Sequence, residues 1–187
     1  YQNADGTYYA NGFQDIDGVT YSFDENGYIQ TGWVTKGVKD YYFNDDGSYD
    51  PSQVRPMLAL TFDDGPSTDE TNGTSDLLDL LEQYDSKATF FCLGNRLNDE
   101  SAPLLKRMVE LGCEIGNHSY DHAQLTKLDA KGVRDEIDTT NELIKKYSGR
   151  DCRIIRPPYG AADNDIVPAN VSQPFIMWDM DTLDWKT

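Results

Sequence analysis

A chain of 187 residues has room for one domain of ordinary size, or for a small module joined to a medium one. Its 33 acidic against 16 basic residues, a net charge of −17, exclude a polyphosphate partner such as nucleic acid. That balance suits a neutral or cationic ligand and a well-solvated surface. Hydrophobic residues make up 38% and charged residues 26%, which fits a folded core, and no apolar run approaches the roughly 18–20 residues of a bilayer-crossing helix. The sequence opens on Tyr1 without a charged-then-apolar leader, as a processed chain is expected to.

The first fifty residues repeat. "YSFDENG" at 21–27 returns as "YYFNDDG" at 41–47, and "GF" at 12–13 returns as "GW" at 32–33, both twenty residues on. "NADGTYY" at the start reads as the tail of a preceding copy. A fixed period near 20 marks a repeat array. Each copy predicts a β-hairpin, with aromatic alternation followed by an Asn26-Gly27 or Asp46-Gly47 turn that supplies positive φ. Hairpins this short bury no core alone, so neighbouring copies must share their aromatic faces. The order G-W, then Y-x-F-[DN]-x-[DN]-G, resembles the cell-wall-binding repeats, choline- or glucan-binding, of Gram-positive surface proteins. That resemblance implies aromatic rings from successive repeats boxing a quaternary ammonium on a choline-decorated wall polymer, with Trp33 and Tyr41 first among the candidates and Phe13 and Tyr21 after them. The same aromatics can equally form the hairpin core.

"DDGSYDPSQVRP" at 45–56 is polar and carries Gly and Pro, so a boundary is expected near residue 50, with residues 51–56 as linker. From Met57 the pattern becomes strand–helix alternation. Apolar runs at 57–62, 88–93, 113–116, 153–155 and 175–178 predict buried strands. Helical periodicity falls at 75–84, at 102–111, and at 130–147, where Val133, Ile137 and Ile144 share one face. Repeated βα units predict an α/β fold with a parallel sheet, open or closed into a barrel, and chemistry at the C-terminal ends of its strands. Cys92, Cys113 and Cys152 lack the spacing of a zinc ribbon and lie mostly in apolar settings, so buried thiols are expected, with a disulfide pair left open.

Asp63 and Asp64 end the first of these strands, where two adjacent charges are costly unless something compensates them. The two histidines of the chain, His118 and His122, follow the strand "CEIGN". A spacing of four brings both imidazoles to one side if the segment turns helically. Two histidines and a carboxylate with open positions describe a zinc-type catalytic site, against the alternative of two surface histidines.

Together "TFDDGP" (61–66), "HSYDH" (118–122), "RPPYG" (156–160) and "DTLDW" (181–185) resemble, in order and approximate spacing, the polysaccharide deacetylases. This is the NodB-homology group, carbohydrate esterase family 4, and the resemblance covers residues 57–187. It implies a distorted (β/α) barrel preceded by the small β-hairpin repeat module. It also implies a divalent metal, zinc with cobalt or manganese able to replace it, on Asp64, His118 and His122. Asp63 is then the general base, paired with and oriented by Arg156. The backbone N–H of Tyr159 serves an oxyanion hole, and Pro157 with Pro158 stiffens the approach to it. Asp181 orients a catalytic histidine from a later L-x-H motif, and Trp185 walls the pocket. The sequence stops two residues after "DTLDW" and holds no third histidine, so a barrel truncated at its C-terminal end, part of a longer protein, is expected, with an exposed apolar flank. The implied activity is hydrolysis of N-acetyl groups on a cell-wall polysaccharide, with peptidoglycan N-acetylglucosamine first, by a secreted or wall-associated protein of a Gram-positive bacterium. The alternatives are an O-acetyl esterase on xylan, or a non-catalytic glycan-binding protein.

Overall fold

A computed structural model describes residues 5–55, 57–69 and 73–186. The chain divides into two compact units, Tyr1–Leu58 and Ala59–Thr187.

In the first unit, β1 (Gly12–Ile16) pairs antiparallel with β2 (Val19–Phe23), and β3 (Gly32–Lys36) with β4 (Lys39–Phe43). The connecting turns are not those expected from the repeat motif. Asp17 and Gly18, at φ 53° and 83°, join β1 to β2, and Gly37, at φ 65°, begins the turn from β3 to β4. Positive φ in a two-residue turn matches the twist of the flanking strands. The motif turns at 24–27 and 44–47 come after the hairpins. Each sends the chain back for a single bridge, Phe23 to Ile29 and Phe43 to Tyr49. The second returning limb also locks onto the first copy, where Tyr21 bridges Ser48 and the Tyr49 N–H donates to the Thr20 carbonyl (2.8 Å).

Aromatic packing carries this unit. Phe23 and Phe43 are buried, and the Phe13 ring stands edge-on to Tyr41 (4.7 Å) and Phe43 (5.4 Å). Tyr41 therefore serves the hairpin core. Trp33 lies opposite Tyr42, and Val34 opposite Tyr41. Cross-strand partners share a face and neighbours along a strand alternate, so Trp33 and Tyr41 project from opposite faces of their hairpin. These two rings therefore do not face one another within the hairpin. Phe13 already carries a cation, with the Lys36 ammonium 4.4 Å above its ring.

The second unit is a parallel sheet read in chain order. β5 (Leu60–Gly65) pairs with β6 (Ala88–Cys92), and β6 with β7 (Glu114–Asn117). Single parallel bridges then continue from Asn117 to Ile155 and from Ile155 to Phe175. The runs predicted as strands at 153–155 and 175–178 thus contribute bridges, and the sheet of described residues is open. Helices α1 (Thr74–Gln83), α2 (Ala102–Glu110), α3 (Ala130–Ser148) and α4 (Ile166–Asn170) fill the crossovers. The short α4, with Pro168 inside it, escaped the periodicity. α3 begins where Asp129 Oδ1 accepts from the Gly132 N–H (2.7 Å) and ends at Gly149 in the left-handed region, φ 76°.

The main core sets Leu78, Leu81, Leu105, Met108 and Ile144 from α1, α2 and α3 against Phe90 and Ile115 of the sheet. Cys92 and Cys113 are buried in it, Cys152 packs against it, and all three are free thiols. Burial pushes the Cys92 thiol up to about 12 and Cys152 up to about 11. Among the described residues no helix is long and apolar enough to cross a membrane.

Candidate active site

The site is built at the C-terminal ends of β5 and β7. Phe62 lies opposite Phe90 and Gly65 opposite Cys92, three steps along β5 against two along β6. The extra residue makes a β-bulge at Asp63 and Asp64, with Asp64 at φ 63°. Asp tolerates the left-handed region better than most residues. In a regular strand these neighbours point to opposite faces. The bulge cancels that alternation, and both carboxylates approach one imidazole. Asp64 Oδ1 lies 3.5 Å and Asp63 Oδ2 3.9 Å from His118 Nε2.

His118 is 3% exposed. Its Nδ1 lies 2.6 Å from the main-chain oxygen of Arg156. A carbonyl accepts only, so the ring proton sits on Nδ1 and Nε2 turns its lone pair toward the acids. Burial pushes this imidazole below its ordinary range, opposed by the Asp63 charge and the bond to the Arg156 carbonyl. His122 places its Nε2 3.5 Å from Asp64 Oδ1 and its Nδ1 3.2 Å from the Tyr159 hydroxyl. The two rings meet at 5.2 Å, but not on a helical turn. The segment is a loop with Ser119 and His122 at φ 66° and 68°.

One donor atom each from Asp64, His118 and His122 lies within 4.8 Å of the others. Ligands about 2.0–2.2 Å from a tetrahedral ion stand roughly 3.4 Å apart. The two Asp64–histidine separations of 3.5 Å meet that requirement. The His118 Nε2 lone pair, a ring nitrogen of His122 and a carboxylate oxygen therefore fit a divalent cation.

Arg156, 3% exposed, donates four hydrogen bonds. Nη1 donates to Thr61 Oγ1 and Asp63 Oδ1 (both 2.8 Å), Nε to the Ile176 carbonyl (3.0 Å) and Nη2 to the Met177 carbonyl (2.9 Å). The guanidinium also lies 4.2 Å from the centre of the Phe91 ring. Asp63 thus keeps one oxygen on Arg156 and turns the other toward His118. Pro157 and Pro158 are buried and lead into Tyr159, at φ 62°, whose exposed ring stands 4.6 Å from His122.

Sequence reasoning missed the support beneath the histidine loop. Asn117 donates to the Ile137 carbonyl (2.9 Å) and Asn141 Oδ1 (2.8 Å), and accepts from the Ser119 N–H (2.8 Å). Glu136 Oε2 accepts from the N–H groups of Tyr120 (2.7 Å) and Asp121 (3.3 Å). The Gly94 and Asn95 N–H groups donate to the carbonyls of Ser119 and Tyr120. Gly94 is required there, because a Cβ would fall 2.4 Å from Thr140 Oγ1. No local motif announces contacts of this range.

Asp181 and Trp185 do not join the cluster. Asp181 accepts from the Leu183 N–H (2.9 Å) and from Trp185 Nε1 (3.4 Å), and Trp185 is 69% exposed. Among the described residues no hydrogen bond or ring contact links either to the Asp63–His122 group.

Known proteins resemble this chain in sequence and in fold. A bifunctional xylanase/deacetylase of Pseudobutyrivibrio xylanivorans is 42% identical over 136 residues, covering 73% of this chain and 22% of that protein. The peptidoglycan-N-acetylmuramic acid deacetylase PdaC of Bacillus subtilis is 42% identical over 137 residues, 73% of this chain and 28% of that protein. Its solved structure superposes with a TM-score of 0.65 at 41% identity, covering 73% of this chain and 64% of that one. A family 4 acetyl xylan esterase from Clostridium thermocellum, solved with a cobalt ion, gives 0.59 at 39% identity, covering 64% and 56%. The chain spans about a quarter of the length of the two curated relatives it matches here. A sequence model of the family described as polysaccharide deacetylase matches residues 50–175, and the chain belongs to that family.

Proposed function

We propose that this chain carries the catalytic centre of a metal-dependent hydrolase that removes N-acetyl groups from a cell-wall polysaccharide, with peptidoglycan N-acetylglucosamine as substrate. The observation that carries the reading is the convergence of Asp64, His118 and His122, beside an Asp63 held by Arg156. Those three residues hold the cation, zinc in the first instance, with cobalt or manganese able to stand in. When bound, such an ion polarises an acetyl carbonyl and brings the pKa of a water toward neutrality.

The remaining work falls to the chain's own groups. Asp63, fixed through Oδ1, offers Oδ2 as general base for the proton of the attacking water. The Tyr159 N–H is assigned to the oxygen on which negative charge develops, with Pro157 and Pro158 leading into its turn. Asp181 is assigned to orienting a histidine that protonates the leaving amine, and Trp185 to walling the acetyl group. The hairpin unit is read as a tether to wall polymer, choline-decorated or plain glycan, of a Gram-positive surface. A weak tether suffices, because it raises the local concentration of the catalytic unit on its polymer.

A second reading, ester hydrolysis on acetylated xylan, is favoured by the likeness to an acetyl xylan esterase. Acetate release from N-acetylglucosamine oligomers, peptidoglycan and acetylated xylan, with and without chelator, separates the two. Release from the amide substrates that chelator abolishes and zinc or cobalt restores is the expected result. Release from xylan alone would favour the esterase, and chelator-insensitive release would sink the metal mechanism. For the tether, retention on choline or wall resin is expected to drop on Trp33→Ala, and unchanged retention removes Trp33 from the role.

A further inference from the structure

We infer that Glu136, on the first half of α3, is a positioning residue that sets the second histidine of the cluster, His122. The inference rests on the reading of Asp64, His118 and His122 as a divalent-cation site. The two histidines are held in different ways. His118 is buried and tied entirely by main chain, its N–H donating to the Cys92 carbonyl (3.0 Å) and its ring to the Arg156 carbonyl. His122 is half-buried, sits in the left-handed region four residues after His118, and among the described residues has only the Tyr159 hydroxyl hydrogen-bonded to its ring Nδ1. Its placement depends on how the chain enters it.

Among the described residues Glu136 is the one side chain that takes the amides of that entry, beside the main-chain bonds from Gly94 and Asn95. The N–H groups of Tyr120 and Asp121, the two residues before His122, converge on the single oxygen Oε2 (2.7 and 3.3 Å). Two successive amides on one acceptor orient the 119–120 and 120–121 peptide planes, whose carbonyls the Gly94 and Asn95 N–H groups take from the other side, and so the direction from which the chain runs through Asp121 into His122. The helical turn that carries the acceptor is packed into the fold. Its neighbours Val133 and Ile137 are buried, and the Ile137 carbonyl takes the Asn117 side chain ahead of His118. One face of α3 thus gauges both ends of the histidine loop.

Because one oxygen does the work, the charge of Glu136 is not required but its reach is. Glutamine keeps an oxygen at the same distance, whereas aspartate is one methylene short and alanine has none. Outer-shell partners of this kind affect metal affinity by about tenfold to a hundredfold.

The test is cobalt and zinc affinity of the full chain by calorimetry, with the visible spectrum of the cobalt form. Glu136→Ala and Glu136→Asp are expected to bind about tenfold to a hundredfold more weakly with an altered spectrum, and Glu136→Gln to stay within about twofold of the parent. A fold role alone would lower the melting temperature in all backgrounds. Action through His122 makes Glu136→Ala silent for affinity once His122→Ala is present. If Glu136→Ala does not fold, Glu136→Asp carries the same cycle. Parent-like affinity of Glu136→Ala or Glu136→Asp overturns the inference, as does a loss that persists undiminished in the His122→Ala background. A parent chain that binds no cobalt, or binds it equally well as His118→Ala, overturns the cation site itself and the inference with it.

Discussion

Asp63 and Asp64 are neighbours in sequence and yet have different partners, one on a buried guanidinium and the other between two imidazoles. Their substitutions are therefore expected to separate. Asp64→Asn should weaken cobalt binding at least tenfold, because it removes an anionic ligand. Asp63→Asn should keep the metal while kcat/KM for deacetylation falls about 10²–10⁴-fold, the range for loss of a general base. Equal metal loss in both would remove the division between them. Arg156→Lys is a further case. An ammonium is a point donor and cannot reach Thr61, Asp63 and two carbonyls at once, so about 3 kcal/mol of stability should go, measured by urea unfolding. At this scale the sequence was legible in residue identity. The Asp pair, the His pair and Arg156 could all be singled out. What it hid was geometry, because the bulge that turns both carboxylates one way exists only in the pairing of β5 with β6.

Helices were the most legible elements. The apolar spacing placed α1, α2 and α3 within about a residue of their observed ends, since a helix buries one stripe and that stripe is written locally. Their caps were equally local. Asp129→Ala should cost α3 about 1 kcal/mol, read as a lower urea midpoint at unchanged slope. Turns and late strands were less legible. Residues 17–18 and 26–27 both end an acidic or amide residue with Gly, and only pairing register decides which closes a hairpin. Likewise the runs at 153–155 and 175–178 are apolar enough for strands, but they meet their neighbours through one bridge each. The support under the histidine loop was not legible at all, because Asn117 and Glu136 act across 15 to 24 residues through bonds that any polar residue could have made.

Across the whole molecule, the buried thiols couple fold to alkalinity. The folded chain holds Cys92 up at about 12 against an ordinary 9.0, so between these values the unfolded chain loses a proton that the folded one keeps. Below pH 9 this group leaves stability unchanged, and as pH rises above it stability falls by at most about 1.4 kcal/mol per pH unit. Urea midpoints should therefore drop from pH 9 upward, and less steeply for Cys92→Ala, although that variant starts lower. The succession of βα units was visible in the sequence because burial alternates with period. Sheet curvature was not, and it has a consequence of its own. In a flat sheet Ile155 lies three strands from β5, roughly 14 Å. An arginine that follows Ile155 could not span that gap, yet Arg156 is 2.8 Å from both Thr61 and Asp63 and also holds the outermost strand position at Ile176 and Met177. The staves must therefore bend toward one another at this end, with one cation as the hoop that draws first and last together. Asp63 hangs on that hoop, so the aim of its carboxylate and the curl of the sheet are a single mechanical quantity. Slackening it should be audible in faster amide exchange at Ile176, whose N–H donates to the Ile155 carbonyl, before any loss of helix is seen.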